Sequence, residues 1–249
     1  MPAFRSTESP DPRRVCAAWS ELFPTLMPLE FTPDPDDPNG TSVIQFKHGD
    51  AFVLFAFIPA PIPAPDIEAA CAQSWMWKDA AAQMTSHVAH AIVTTVPAGA
   101  SVNEAMLVSR VIASVAKVAP TAGVYWGSAG QVHNPALFAD ALNSFSDGNL
   151  PVMLWVGVRV SRDSSTNRST LSTEGLRAFG HLELEAIETS MTPGDLRMTA
   201  MEVANYLLEN GPVLKHGHTF GGDDSERIRI EHVGSRFRKG ERVMKLCLP

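Results

Sequence analysis

Strand-like and helix-like segments follow one another along this chain without the regular alternation that a doubly wound parallel sheet requires. Two strand patterns form a predicted hairpin, and a helix follows that opens on a capping box of Ser101 and Glu104. A strongly apolar strand pattern occupies 150–160, and the clearest helix runs from Thr192 to a stop at Gly211. This order predicts an α+β fold with mixed or antiparallel sheets and packed helices.

Prolines are frequent in the first 40 residues and limit the regular structure that this part of the chain can form. Asp11 precedes Pro12 in the manner of a helix cap, whereas the proline-rich segment 24–40 is incompatible with a regular helix or strand. The order of two strands, a helix and a strand occurs twice afterwards, which is compatible with a duplicated half-domain. The predicted domains are an N-terminal helix and Pro/Asp-rich connector at 1–41 and a single α+β domain at 42–249, with halves at 42–145 and 150–249.

Charge and motif content narrow the function classes. The 249 residues include 20 basic and 27 acidic side chains, and the formal net charge of −7 disfavours nucleic acid as a partner and mildly favours a basic one. The three cysteines, Cys16, Cys71 and Cys247, form no CxxC pair, so neither a zinc ribbon nor a disulfide framework is predicted. Phosphate-binding glycine motifs are missing, so no cofactor and no catalytic residue is assigned.

Hydropathy bears on location. No apolar run reaches the roughly 20 residues that span a bilayer, and the first residues lack the apolar core and cleavage site of a secretory signal. We therefore expect no membrane contact and a cytoplasmic location, and leave the oligomeric state open.

Two histidines stand close to acidic residues in the stretch VLKHGHTFGGDDSERIRIEHV at 213–233. Neutral imidazoles and carboxylates bind zinc, so His216, His218 and Asp223 are candidate metal ligands. The stretch is also rich in glycine and follows a helix stop, as expected of a polar turn. The turn interpretation is favoured, and a metal-dependent hydrolase built on these three residues is the alternative.

A second polar group lies on the strand pattern at 178–188. Strand alternation places His181, Glu183 and Glu185 on one face, where paired carboxylates could serve acid–base chemistry. Because antiparallel sheets commonly expose one face to water, we expect these side chains to be solvated.

The segment SWMWKD at 74–79 holds two tryptophans. In the helix predicted from Asp66 to Trp77, residues two apart point about 200° apart, so Trp75 and Trp77 cannot both face one core. One of them is expected at a domain junction or exposed as a partner anchor. The candidate partner contacts are therefore these tryptophans together with Asp34, Asp36 and Asp37 of the connector, which alternatively form a solvated tether.

The C-terminal stretch is basic. Interleaved glutamates predict surface ion pairs and protection of an edge strand around the hairpin loop GSRFRKGE. The basic residues are Arg227, Arg229, Arg236, Arg238, Lys239, Arg242 and Lys245.

The second half resembles a known bacterial family. GLRAFGHLELEAIE, a long helix ending LLENGPVL, and GHTFGGDDSERIRIEH together resemble domain of unknown function 4261, and the order of segments is similar from about Val43 to Val233. That family supplies no active site that could be carried over to this chain.

The chain also looks like an immunity protein of a type VI secretion effector, since acidic single-domain bacterial proteins without catalytic motifs often belong to that class. The resemblance implies a non-catalytic protein that binds and neutralises a cognate toxin, with nucleases among the candidate toxins. A structural or adaptor protein is a further alternative.

Overall fold

The structure, a computed structural model, describes residues 1–33, 43–144, 150–222 and 227–248, and the chain forms two compact units, Met1–Gly148 and Asn149–Pro249. The first unit contains β1 (Pro2–Phe4), α1 (Pro12–Leu22), β2 (Glu30–Phe31), β3 (Val43–His48), β4 (Ala51–Ile58), α2 (Ala64–Ala72), α3 (Ala80–Met84), β5 (Ala89–Val96), α4 (Val102–Val118), β6 (Thr121–Trp126), β7 (Gln131–His133) and α5 (Pro135–Ser144). The second contains α6 (Val152–Trp155), β8 (Gly157–Arg162), β9 (Ser169–Glu174), β10 (Glu183–Thr189), α7 (Pro193–Asn210), β11 (Thr219–Phe220), β12 (Ile228–Gly234) and β13 (Arg242–Cys247).

The sheet of the first unit incorporates the beginning of the chain. Its described strands follow the order β2-β3-β4-β5-β1-β6-β7, and neighbouring strands are antiparallel. Ala3 of β1 lies opposite His90 of β5 on one side and opposite Gly123 of β6 on the other. Residues 1–33 are therefore part of the first unit, so the division expected at residues 41 and 42 does not coincide with the boundary between the two units.

Helices α1 and α4 pack together beside this sheet. The Asp11 side chain accepts a hydrogen bond from the Arg13 N–H at 2.9 Å, and the capping box of Ser101 and Glu104 is formed as predicted. Trp19 of α1 is fully buried, and its indole N–H donates to the Met27 carbonyl at 3.0 Å. Both helices therefore begin where the sequence predicts.

A second cluster joins α2 and α3 to the sheet. The helix expected from Asp66 to Trp77 instead ends at Ala72. The Gln73 N–H there donates to the Ala70 carbonyl and the Ser74 N–H to the Cys71 carbonyl, which tightens the last turn. The two tryptophans consequently lie between α2 and α3, outside a helix. The buried members of this cluster are Ala3, Ile62, Ile67, Ala70, Trp77, Ala80, Met84 and Val132.

The sheet of the second unit has the order β11-β12-β13-β10-β9-β8. β10 and β13 are parallel and the other neighbours are antiparallel. The α+β class with mixed and antiparallel sheets is confirmed. α7 begins at its Thr192 cap and ends at Gly211, whose φ is +78°, as the stop signal predicts. Its apolar side contacts β8 and β9.

Two expectations for the start of this unit are wrong. The apolar run at 150–160 is not one strand: Val152–Trp155 is helical, since the Leu154 N–H bonds to the Pro151 carbonyl, and β8 begins only at Gly157. A short apolar run has no periodicity that separates these states. The loop expected at 161–170 is shorter, because β8 and β9 form a hairpin that extends into it at both ends.

None of the helices within the described ranges combines the length and the apolar composition needed to cross a membrane.

Candidate functional site

Glu183 and Glu185 on β10 are buried, each only 2% exposed, so the expectation of a solvated polar face is wrong for them. His181 is buried as well. A buried carboxylate is costly unless hydrogen bonds replace the water it has lost. The donors that replace water come from the end of β9 and the turn after it for Glu183, and from the loop between β12 and β13 for Glu185.

Glu183 fixes the turn that follows β9. Its carboxylate accepts hydrogen bonds from the Thr173 hydroxyl at 2.7 Å and from the N–H groups of Gly175 and Arg177 at 2.9 and 3.1 Å. The Thr173 hydroxyl accepts in turn from the Leu184 N–H at 2.8 Å. This carboxylate is therefore a structural acceptor, saturated by neighbouring donors.

Glu185 fixes the loop between β12 and β13. Its carboxylate accepts from the Ser235 hydroxyl and from the Arg236 N–H, the latter at 3.0 Å. The same serine oxygen accepts from the N–H groups of Phe237 and Arg238 at 3.1 and 2.9 Å. One buried carboxylate thus determines, directly or through Ser235, the path of four consecutive residues.

Ion pairs hold the base of this loop. The Arg238 guanidinium donates to the Thr173 carbonyl at 2.9 Å and lies 4.0 Å from Glu174 and 3.9 Å from Glu241. Glu241 also pairs with Arg177 at 2.8 Å. Such partly exposed pairs contribute little energy singly, but as a network they restrict the loop to one geometry. The predicted surface ion pairs of the basic stretch are present here.

The outer side of residues Ser235–Gly240, hereafter the Phe237 loop, faces solvent. Phe237 is 52% exposed, and the side chains of Arg236 and Lys239 on either side of it are exposed too. The loop has three basic residues and no acidic one. A large aromatic ring held in water by a fixed loop has the properties of an interface anchor, since Phe exposure is unfavourable in isolation. This loop is the candidate functional site.

The site suits binding better than acid–base chemistry. A general acid or base must reach the proton that it transfers. The oxygens of Glu183 and Glu185 instead face protein donors, and both side chains are almost completely covered.

The histidine stretch is a turn, as favoured from the sequence, in the part that the structure describes. His216 and Gly217 form the turn, and the His216 Nδ1 accepts the His232 N–H at 3.0 Å. The His218 backbone pairs with Ile230, and both His216 and His218 are exposed. Asp223 lies outside the described residues. His216 therefore takes the place of a strand carbonyl and extends the pairing along β12.

Within the described ranges, no three or more His, Cys, Asp or Glu side chains lie together in a position to hold one metal ion.

The two tryptophans have different environments. Trp75 is 48% exposed, whereas Trp77 is 8% exposed and lies against Gly123, where an added Cβ would come within 3.1 Å of the indole. Trp77 also lines an open cavity of about 420 Å³ together with Arg5 and Asn134. One ring is in the core and the other is exposed, although neither tryptophan lies in the helix from which the sequence argument derived that separation. Asp34, Asp36 and Asp37 lie outside the described residues.

Sequence reasoning did not single out Phe237. The segment GSRFRKGE was correctly predicted to be a hairpin loop. Its basic residues were interpreted as surface ion pairs, and its aromatic residue was given no role. An aromatic residue between basic residues in a predicted turn was the available signal. Its anchoring by Glu185 had no signal, because the two partners are 50 residues apart.

Residues 172–247 match the model of a family described as Domain of unknown function (DUF4261). This match covers less than a third of the chain and includes β10, α7, β12, β13 and the Phe237 loop. The resemblance predicted from the motifs is thus confirmed for this segment. No curated protein and no solved structure matches the chain.

Proposed function

We propose that this protein is a non-catalytic binding protein that neutralises a cognate secreted toxin, with the Phe237 loop as its principal contact. One observation carries the proposal: the buried Glu185 carboxylate accepts hydrogen bonds from Ser235 and Arg236, and so fixes a loop that exposes the Phe237 ring. A loop ordered before its partner arrives loses less conformational entropy on binding, which raises affinity.

The class of partner comes from the resemblance to immunity proteins of type VI secretion effectors. Neutralisation would then proceed by blockade, with the Phe237 ring inserted into the toxin and the surrounding surface covering its active cleft. Nucleases are among the candidate toxins. The expected cytoplasmic location belongs to this proposal, because an immunity protein must meet its toxin inside the cell that it protects.

The other candidate contacts remain predictions. Trp75 has the exposure that a second anchor requires, whereas Trp77 would contribute by supporting the fold around it. Asp34, Asp36 and Asp37 would add acidic contacts to a basic part of the toxin.

A structural or adaptor protein and a metal-dependent hydrolase are the alternative functions. The hydrolase would require His216, His218 and Asp223 as ligands, but the Nδ1 of His216 already accepts a backbone hydrogen bond. An adaptor would bind the same partner without abolishing its toxicity.

The test begins with affinity capture of the tagged chain from its native cells and identification of stoichiometric partners. The captured protein is then expressed in a heterologous bacterial host, with and without the chain. We expect growth arrest by the partner alone and recovery when the wild-type chain is present.

Phe237→Ala should weaken that recovery, and Met198→Ala, which truncates an exposed residue on α7, is the matched control. A partner that leaves growth unchanged, or toxicity that the chain does not relieve, would overturn the toxin-neutralising function. Equal rescue by both variants would remove the Phe237 loop from the interface.

A further inference from the structure

We infer that the Phe237 loop recognises a folded protein whose surface surrounds an apolar recess with acidic groups. This inference rests on the proposed function and names the chemistry of the partner at that same loop. The Phe237 loop is positively charged, whereas the formal net charge of the whole chain is −7.

The cations at the tip of the loop are available to a partner. The Arg236 guanidinium lies 3.6 Å from Glu188, but both side chains are more than 60% exposed, and such pairs exchange readily with water or another carboxylate. Lys239 is exposed and makes no ion pair within the described part of the chain. Arg238, by contrast, is committed to Glu174, Glu241 and the Thr173 carbonyl at the base.

The position of the ring sets the shape that the partner must have. Phe237 lies between Arg236 and Lys239 in the sequence and stands out from the loop, so its burial requires a recess. Carboxylates at the rim of that recess would pair with the two cations. Aromatic and arginine side chains are the commonest energetic centres of protein interfaces, and charge complementarity at the rim accelerates encounter.

A polyanion fits these observations less well than a protein. DNA or RNA presents phosphates in a continuous row that extends beyond a six-residue loop. Those phosphates would face the exposed carboxylate of Glu188, which lies 3.6 Å from Arg236. An anionic bilayer would have the same conflict. A protein can confine its negative charge to the area that the loop covers.

Site-specific photo-crosslinking in the native cells tests the inference directly. Phe237→p-benzoylphenylalanine places the reactive ring at the loop tip, and the same substitution at Met198 is the control in the same unit. We expect position 237 to crosslink to a protein, through a segment with an excess of Asp and Glu, and position 198 to yield at most a small fraction of that product.

Binding kinetics with the captured protein supply a second measurement. We expect Phe237→Ala to raise the dissociation rate roughly 10- to 100-fold. The double variant Arg236→Glu/Lys239→Glu should lower the association rate about 10-fold at low salt and much less at high salt. The control Lys215→Glu/Arg229→Glu makes the same change in net charge at exposed residues of the same unit, and Arg229 lies opposite Cys247 at the end of β12 remote from the loop. This control should leave the association rate nearly unchanged.

The outcomes separate this inference from the proposed function. Crosslinks from position 237 to nucleic acid, to lipid or to a protein surface without acidic excess would overturn the inference, even if the chain still relieves toxicity. So would an association rate that falls equally in the two double variants. Acidic crosslinks to a harmless protein would instead support the inference and overturn toxin neutralisation.

Discussion

The Arg236 N–H donates to the Glu185 carboxylate at 3.0 Å, although 51 residues separate the two along the chain. The first prediction concerns this contact. Glu185→Gln turns one acceptor oxygen into an N–H₂ donor, which leaves either the Ser235 hydroxyl or the Arg236 N–H facing another donor. We expect the free energy of unfolding, measured by urea denaturation, to fall by about 1–3 kcal/mol.

Amide hydrogen exchange at 235–240 should become faster in the same variant. Glu188→Gln is the control, since Glu188 is exposed and its side chain contacts Arg236 alone in this region, at 3.6 Å. Its effect on the free energy of unfolding should stay within about 0.5 kcal/mol. Indistinguishable exchange profiles for the two variants would show that Glu185 does not order the loop.

The second prediction concerns Gly123 on β6. A Cβ at this position would lie 2.3 Å from the Met84 sulfur and 3.1 Å from two atoms of the Trp77 ring. Gly123→Ala must therefore displace buried side chains, and we expect a loss of about 1–3 kcal/mol in the free energy of unfolding.

The fluorescence of Trp77 should change in the folded state of this variant. Gly127→Ala provides the comparison, because its Cβ would have only one ordinary contact, 3.7 Å from the Tyr125 ring. Equal stability of the two alanine variants would contradict the close packing of Trp77 on Gly123.

The third prediction separates His216 from His218. His216→Ala removes the acceptor of the His232 N–H and should accelerate amide exchange at His232 and in the turn at 214–218. His218→Ala leaves the backbone pairing with Ile230 intact and should change exchange much less. If the pair instead served as metal ligands, both variants would lose bound metal to the same extent in elemental analysis of protein purified without chelators.

The fourth prediction concerns pH. Burial lowers the pKa of His181 below its ordinary value of 6.5, and its Nδ1 has no hydrogen-bond partner within the described residues. Between the folded and the unfolded pKa, the unfolded chain binds more protons. The free energy of unfolding should therefore fall as the pH drops through about 6.5, and should level off below the folded pKa.

His181→Gln cannot titrate in this range, so its stability should depend less on pH than that of the wild type. The measurement is urea denaturation at a series of pH values for both proteins. Parallel stability curves would show that the protonation of His181 does not contribute.

Local sequence signals located much of the fold. Asp11, Ser101 and Thr192 cap helices as predicted, because a capping side chain bonds to residues only two or three positions away. The hairpin of β3 and β4 likewise followed from two apolar patterns around a short turn. These interactions are contained in short windows of sequence, so the sequence alone was sufficient to predict them.

Long-range partners could not be predicted in the same way. Strand alternation correctly placed Glu183 and Glu185 on one face, but the burial of Glu185 depends on Ser235, which is 50 residues away in sequence. Glu183 is covered by the nearby turn at Gly175 and Arg177, whose path no periodic pattern indicates. The placement of β1 between β5 and β6 has the same origin. Three residues carry no periodic signal, and their partners are about 85 and 120 positions away.

That placement of β1 also orders events during synthesis. Ala3 is translated well before its partner Gly123 on β6, which follows most of the first unit. Since chains lengthen at about 5–20 residues per second, the N-terminal strand waits several seconds in an incomplete sheet. Until β6 is made, β1 paired with β5 is the open edge of the growing sheet, and a chaperone near the exit tunnel would be well placed to cover it.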